Sequence, residues 1–281
     1  MAGPLGDFDR VGGDRLEALK ALLARDPVQN MLVLSVVEEF GLGRAGCPPL
    51  AFYGLSEGEQ LKAAVFVGGN GELHIPCGDA ASAGVMGKHL AEGGVPLQSA
   101  LGERGAVDAL LRSYGSVKLK LDRVQRLLSV SADDLGPFVA PQLRLALESD
   151  LDELVELSAA AVKESLGVDA RATEGELFRL RVAARVRAGR TWVMRLENRL
   201  CFKIDMGARC RYGAELENIF LVPEMRRRGL ATLALGQVCR QQLSAIPRLT
   251  MRLDDKDDSL ARCCRKVGFV GVRPQRMLVV E

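Results

Sequence analysis

Apolar residues recur along the chain at two periods. Leu16, Leu19, Leu22 and Leu23 follow helical spacing, with Asp14 ahead of them as an N-cap. Pro27 interrupts that stripe, and a second predicts a helix over 28–40. Gly41, Gly43, Gly46, Pro48 and Pro49 predict a loop. Strand patterns follow over 50–53, 61–67 and 72–75, and Gly68-Gly69-Asn70-Gly71 joins the last two as a hairpin. Residues 80–92 and 103–113 read as helices, and 117–121 and 125–130 as strands. The stretch from Asp133 to Pro141, with Gly136 and Pro137, reads as a linker.

The pattern then starts afresh. A short strand over 143–146 precedes a helix capped by Ser149, with Leu151, Leu154, Val155, Leu157 and Val162 on its apolar side. A second helix covers 174–188. Strands follow at 191–196, 200–205 and 215–222, then a helix at 229–244 and a strand at 248–253. A helix at 259–267 ends at Gly268, and a strand at 275–280 closes the sequence. Helices, strands and more helices thus recur twice, which predicts two α+β units, 1–138 and 139–281.

Composition narrows the class. With 281 residues, two domains are expected, and 48% hydrophobic with 26% charged residues is ordinary globular material. A net charge of +2 predicts no nonspecific hold on nucleic acid. No apolar run has the length of a membrane span and no leader pattern opens the sequence, so the expectation is a cytoplasmic protein. The seven cysteines (Cys47, Cys77, Cys201, Cys210, Cys239, Cys263, Cys264) form no CxxC pair, and His74 and His89 stand apart from them. Reduced, buried thiols are expected, and no metal site. His74, His89 and Trp192 read as structural, and the arginines over 174–190 as a solvated helix face.

The most informative stretch runs from Glu215 to Thr232. A strand leads into Pro223, then Arg226-Arg227-Arg228-Gly229, then a helix. Free N–H groups and the positive dipole end at that helix start form an anion site, which Gly229 lets a phosphate approach closely. Here the residues also resemble a family. Arg226-x-x-Gly229-x-Ala231 is similar to the R/Q-x-x-G-x-G/A signature of the GNAT acetyltransferase superfamily. The preceding Leu-Val-Pro, and Lys266-Val267-Gly268-Phe269 downstream, resemble that superfamily too, as does the order of elements over 141–281. Ala24-Arg25-Asp26-Pro27-Val28-Gln29-Asn30 looks like the opening of an uncharacterised domain found ahead of GNAT domains, a degenerate GNAT-like unit. It has no second copy of the signature, and Pro76-Cys77-Gly78-Asp79 is acidic where the second half is basic.

The resemblance implies two tandem GNAT-like units, each a mixed, splayed sheet flanked by helices, with acetyl-CoA as co-substrate of the second. The backbone of Ile219, Phe220 and Leu221 would hold the pantetheine arm. Arg226, Arg227, Arg228, Gly229, Leu230, Ala231 and Thr232 would hold the pyrophosphate. The first unit would shape the acceptor site or regulate it. An acceptor amine of pKa ~10.4 must lose a proton before it attacks, at roughly 4.6 kcal/mol at neutral pH, so a general base is needed. Glu215 and Glu217 lie on one face of their strand, and paired carboxylates push one another's proton affinity up. The resemblance puts the family's strand glutamate at Glu215. The family's usual tyrosine is replaced by Cys264, leaving Cys264 or Tyr212 as acid candidates.

The preferred reading is transfer to a protein lysine. Transfer to a small amine or amino acid is one alternative. A non-catalytic sensor of acyl-CoA or a nucleotide is the other. The sequence fixes neither the acceptor nor the oligomeric state.

Overall fold

The computed structural model describes residues 6–43, 50–77, 79–140 and 142–281. Gly46, Cys47, Pro48, Pro49, Gly78, Pro141 and the side chain of Cys77 lie outside that description. In chain order the elements are β1 (Asp7–Arg10), α1 (Leu16–Leu23), α2 (Met31–Phe40), β2 (Ala51–Glu57), β3 (Gln60–Val67), β4 (Glu72–Cys77), α3 (Ala80–Glu92) and β5 (Ser99–Glu103). Next come α4 (Arg104–Tyr114), β6 (Leu119–Val130), β7 (Leu143–Leu145), α5 (Leu151–Leu166), α6 (Ala170–Glu174), α7 (Glu176–Arg187) and β8 (Thr191–Leu196). The last are β9 (Arg199–Cys210), β10 (Gly213–Leu221), α8 (Leu230–Leu243), β11 (Leu249–Asp254), α9 (Asp258–Val267) and β12 (Val270–Val280).

The differences from the sequence reading have local causes. β1 and β5 are short strands with too few alternations to register. The strands expected at 117–121 and 125–130 are one, because Asp122 and Arg123 continue the ladder with outward side chains tied to Arg276 and Asp254. Asp14 sits in a 3-10 turn and caps nothing. In place of Ser149, the buried Asp150 carboxylate accepts the Leu147 N–H at 2.8 Å, with Arg144 at 2.6 Å and Arg195 at 3.2 Å around it. The Arg144 guanidinium, more than any other partner, holds the Asp150 carboxyl well below the usual carboxylate range.

The chain divides into two compact units, and not by a single cut. The first comprises residues up to 127 with 253–257 and 271–281; the second comprises 128–252 with 258–270. The sheet of the first unit has the order β1-β2-β3-β4-β5-β12-β6. Its last-made strand, β12, runs antiparallel to β5 from Gln275 opposite Glu103 to Val279 opposite Ser99. Leu278 enters the first unit's core beside Leu73, Ile75, Ala100 and Leu110. At about 25 cal/mol per Å² of apolar surface removed from water, such burial holds the strand in place. Polar contacts fix its register: Arg273 meets Asp26 at 2.7 Å, Arg276 meets Asp108 at 2.7 Å, and the buried Gln29 and Gln275 amides exchange hydrogen bonds of 3.2 and 2.9 Å. Asp26 and Gln29 belong to the Ala24–Asn30 stretch singled out in the sequence, which therefore receives β12.

In the second unit β11, β10, β9, β8 and β7 follow one another, the first pair parallel and the rest antiparallel. Leu154, Val155 and Leu157 of α5 pack with Phe178, Val182 and Val186 of α7 over Val193, Leu200 and Phe220 of the sheet. α5 ends at Gly167, whose left-handed φ of 71° suits a residue without a Cβ. Among the described residues no helix is long and apolar enough to cross a membrane.

Candidate functional site

The site grows from one strand of the second unit. β10 and β11 pair only where Ala214 faces Leu249, Glu215 faces Thr250 and Leu216 faces Met251. Beyond Leu216 the side of β10 toward β11 leaves the ladder, so among the described residues the backbone from Glu217 to Leu221 has no strand partner there. On its other side β10 slips register against β9 twice. Glu217 faces Asp205 and Phe220 faces Lys203, so Asn218 and Ile219 form a bulge, with Asn218 at φ 52°. The other slip falls at Gly207 on β9. A Cβ on Gly207 would lie 2.5 Å from Glu217 Cδ, so glycine lets the Glu217 carboxylate lie across the β9 backbone.

After β10 the chain makes a 3-10 turn over Pro223–Met225, then reaches α8 through Arg227 at φ 63° and Gly229 at φ 77°. α8 has no side-chain cap. Leu233 N–H to Gly229 O, at 3.1 Å, is an early closing bond, and the amides ahead of it stand at the open helix end. Left-handed residues in such a turn can aim successive N–H groups into a concave anion-binding surface. Arg227, Arg228 and Gly229 are exposed, and Leu230, Ala231 and Thr232 half-buried. This turn fits a pyrophosphate, and the free edge of Ile219, Phe220 and Leu221 fits an extended amide-bearing arm.

Arg226 is built differently from its neighbours. Its Nε donates to Leu221 O at 2.9 Å, its Nη2 to Glu164 at 2.7 Å, and its guanidinium lies 5.5 Å over the Phe220 ring. It ties the end of β10 to α5. Thr232 Oγ1 meets Cys263 Sγ at 3.4 Å.

One face of the sheet carries three carboxylate–cation pairs. Lys203 Nζ lies 2.8 Å from Asp205, with both side chains at 5% exposure or less. Arg252 pairs with Glu215, both at about a tenth exposed. Arg185 pairs with Glu217 at 2.7 Å, and there the exposures are 39% and 36%. Glu217 is therefore the carboxylate of the three that reaches solvent. Glu215 has one oxygen on Arg252 and the other, Oε2, buried without a hydrogen-bond partner. Although an edge of it reaches solvent, the Glu217 carboxyl is packed over the β9 backbone at Gly207, and that loss of hydration pushes it above its ordinary range; Glu215 and Asp205 add to the rise, while Arg185 and Lys203 oppose it.

Of the two glutamates on one face, the structure thus leaves Glu217 accessible and locks Glu215. Cys264 is fully buried, its Sγ 3.7 Å from Met251 Sδ. Tyr212 receives a hydrogen bond of 2.9 Å from Arg211 in the turn before β10, at the opposite end of that strand from α8. Sequence reasoning missed Lys203, Asp205, Arg185 and Asn218. The signal was present: Lys203 and Asp205 are charges two residues apart inside the otherwise apolar strand Leu200–Met206, where alternation puts both on one buried face.

No family model matches the chain, and a search of curated proteins finds no match. Solved structures do. A GNAT-family acetyltransferase from Colwellia psychrerythraea aligns over 98% of this chain and 100% of its own, with a TM-score of 0.61 at 11% identity. A GCN5-related N-acetyltransferase from Sphaerobacter thermophilus aligns over 97% and 94%, with a TM-score of 0.60 at 12% identity. A tandem GNAT protein from the clavulanic acid biosynthesis pathway aligns over 98% of each chain, with a TM-score of 0.57 at 12% identity. At such identities the likeness speaks for the fold: two GNAT-like units, each a mixed sheet flanked by helices.

Proposed function

We propose that the second unit transfers an acetyl group from acetyl-CoA to a primary amine. One observation carries the reading: an uncapped helix start with two left-handed residues continues a strand whose edge is free, with a solvent-reaching carboxylate of raised pKa beside the bulge. Acetyl-CoA would supply an acyl thioester open to attack by an amine. The backbone of Ile219, Phe220 and Leu221 binds its arm as an added strand would. Arg227, Arg228 and the amides from Gly229 to Thr232 bind the pyrophosphate, and Arg226 keeps the turn aligned from behind.

Glu217 is the general base. It takes a proton from the acceptor ammonium directly or through one water, and its raised pKa brings it closer to the amine it must deprotonate. Glu215 is held by Arg252 and keeps the strand's charge balanced. A departing thiol of pKa ~8.5 needs only about 2 kcal/mol of proton donation at neutral pH, which water can provide. This removes the need for Cys264 or Tyr212 as acid.

The acceptor is a primary amine, and a protein lysine competes with a small amine or amino acid. A second reading, acyl-CoA sensing without turnover, is favoured by the core position of Cys264. Calorimetric titration of acetyl-CoA into the full chain, with CoA release followed against a panel of small amines and lysine peptides, separates these. Binding with release only when acceptor is present supports the transferase. Binding without release across the panel favours the sensor. Absence of binding removes the coenzyme site. Glu217→Gln is expected to keep acetyl-CoA affinity and lower kcat by roughly 100-fold or more.

A further inference from the structure

The proposed function gives no role to the buried pair beside Glu217, Lys203 and Asp205. A buried ion pair is costly to desolvate and is often no more stable than apolar residues of the same volume. Yet Lys203 and Asp205 sit in the middle of the sheet, and Asp205 is 1% exposed. Its Oδ1 accepts from Thr191 Oγ1 at 2.8 Å. Its Oδ2 accepts from Lys203 Nζ at 2.8 Å and from Asn218 Nδ2 at 3.1 Å. Lys203 in turn donates to Ser158 Oγ on α5 at 3.1 Å.

Two groups connect this pair to Glu217. The Asn218 amide donates to Asp205 and also to Glu217 Oε1, at 3.3 Å. Arg185 places one terminal nitrogen 2.7 Å from Glu217 and the other 3.9 Å from Asp205. Asn218 reaches both carboxylates from the bulge, at a φ of 52° that few residues other than glycine adopt readily. The network borders a cavity of ≈ 40 Å³ whose other walls include Leu154, Val162, Phe178 and Val182. Such apolar walls strengthen every charge interaction beside them.

We infer that Asp205 is a positioning residue for Glu217, acting through the Asn218 bridge and the shared Arg185 guanidinium, with Lys203 as its buried partner. The inference rests on the reading of Glu217 as base. The charged groups facing Glu217 are Arg185 from α7, Lys203 and Asp205 from β9, and Glu215 from its own strand, itself paired with Arg252 of β11. Asp205 supplies a negative charge that keeps the Glu217 proton affinity up, and it anchors the donors that orient the carboxylate.

The test titrates the Glu217 carboxyl by carbon-13 NMR in the full chain, and measures kcat/KM against pH in parallel. Asp205→Asn removes the neighbouring charge, and its Glu217 titration is expected to move to lower pH, with the acid limb of the rate profile following. Asn218→Ala removes a donor to the carboxylate but leaves the buried pair; its titration is expected to move to higher pH. In both, kcat falls roughly tenfold or more while the KM for acetyl-CoA holds. Thr191→Val keeps the charge and loses one hydrogen bond; it lowers thermal stability without moving the titration. A Glu217 titration that stays put in folded Asp205→Asn or Asn218→Ala overturns the inference. If Asp205→Asn does not fold, Asn218→Ala decides alone. A titration that moves while the rate limb does not overturns the base assignment instead.

Discussion

Two helices follow a strand at matching places in the two units, and they begin in opposite ways. α3 begins after Asp79, whose carboxylate accepts the Ser82 N–H at 2.8 Å. α8 begins after Gly229, in the left-handed region, with no side chain on its amides. The strands before them differ in the same sense. β4 stays paired with parallel β5 from Glu72 to Ile75, while β10 leaves β11 after Leu216. Gly102 of β5 allows that closeness, since a Cβ there would lie 2.9 Å from Ile75 O. One unit thus satisfies its helix start and strand edge internally, and the other leaves both open. A shared fold does not by itself decide which backbone groups are left unsatisfied; local pairing and capping do.

The sharpest way to break this contrast is to give α8 the cap that α3 has. Gly229→Asp tolerates the left-handed backbone better than most residues and offers a favourable N-cap, so the fold should survive. It puts a negative charge where a pyrophosphate would sit. Acetyl-CoA affinity measured by calorimetry is expected to fall at least about 100-fold, roughly 2.7 kcal/mol. Unchanged affinity would show that the coenzyme is held elsewhere.

Next in size is the pH response of the open unit. If Glu217 is the proposed base, it becomes protonated as pH falls through its raised pKa, and kcat/KM is expected to decline. The limb should lie above the ordinary carboxylate range, and Glu217→Gln should abolish it. A limb that survives the substitution assigns the titrating base to another group.

The arginines offer a finer contrast. Arg227→Gln should weaken acetyl-CoA roughly tenfold and flatten its salt dependence, because Arg227 is exposed beside the turn. Arg226→Gln should instead lower thermal stability, through lost contacts with Leu221 O and Glu164. Similar salt responses in both would contradict that division.

The smallest effect is expected at α3. Asp79→Ala should cost about 1 kcal/mol of stability through the lost cap, and titration should still find a single acetyl-CoA per chain. A second equivalent would mean that the cap, and not the closed β4–β5 pairing, keeps coenzyme out of the first unit.

The backbone course of the proposed coenzyme turn was legible in the sequence, because it depends on a contiguous run. The turn from Pro223 to Gly229 and the start of α8 at Leu230 fall where the basic, glycine-containing stretch put them. The surroundings of the two glutamates were less so. Glu215 and Glu217 share a face and read alike; only the partner strands, bringing Arg252 to one and Arg185 to the other, tell them apart. The segment expected as a linker shows the same limit. Its turn residues are real, but Phe138 lies where a Cβ on Gly236 would be, so that stretch packs against α8.

The pairing of β12 with β5 sets an order of events on the ribosome. β5 ends at Glu103, yet its neighbour begins at Val270, so all of the second unit except Val270 is synthesised in between. The first unit to emerge is the last that can close. Until then β5 presents a bare edge, and the core site of Leu278 stays unfilled. Contacts between segments so remote form slowly, and an open edge invites pairing with another nascent chain. Co-translational folding therefore runs against the direction of synthesis, and chaperone demand should peak just before β12 leaves the exit tunnel.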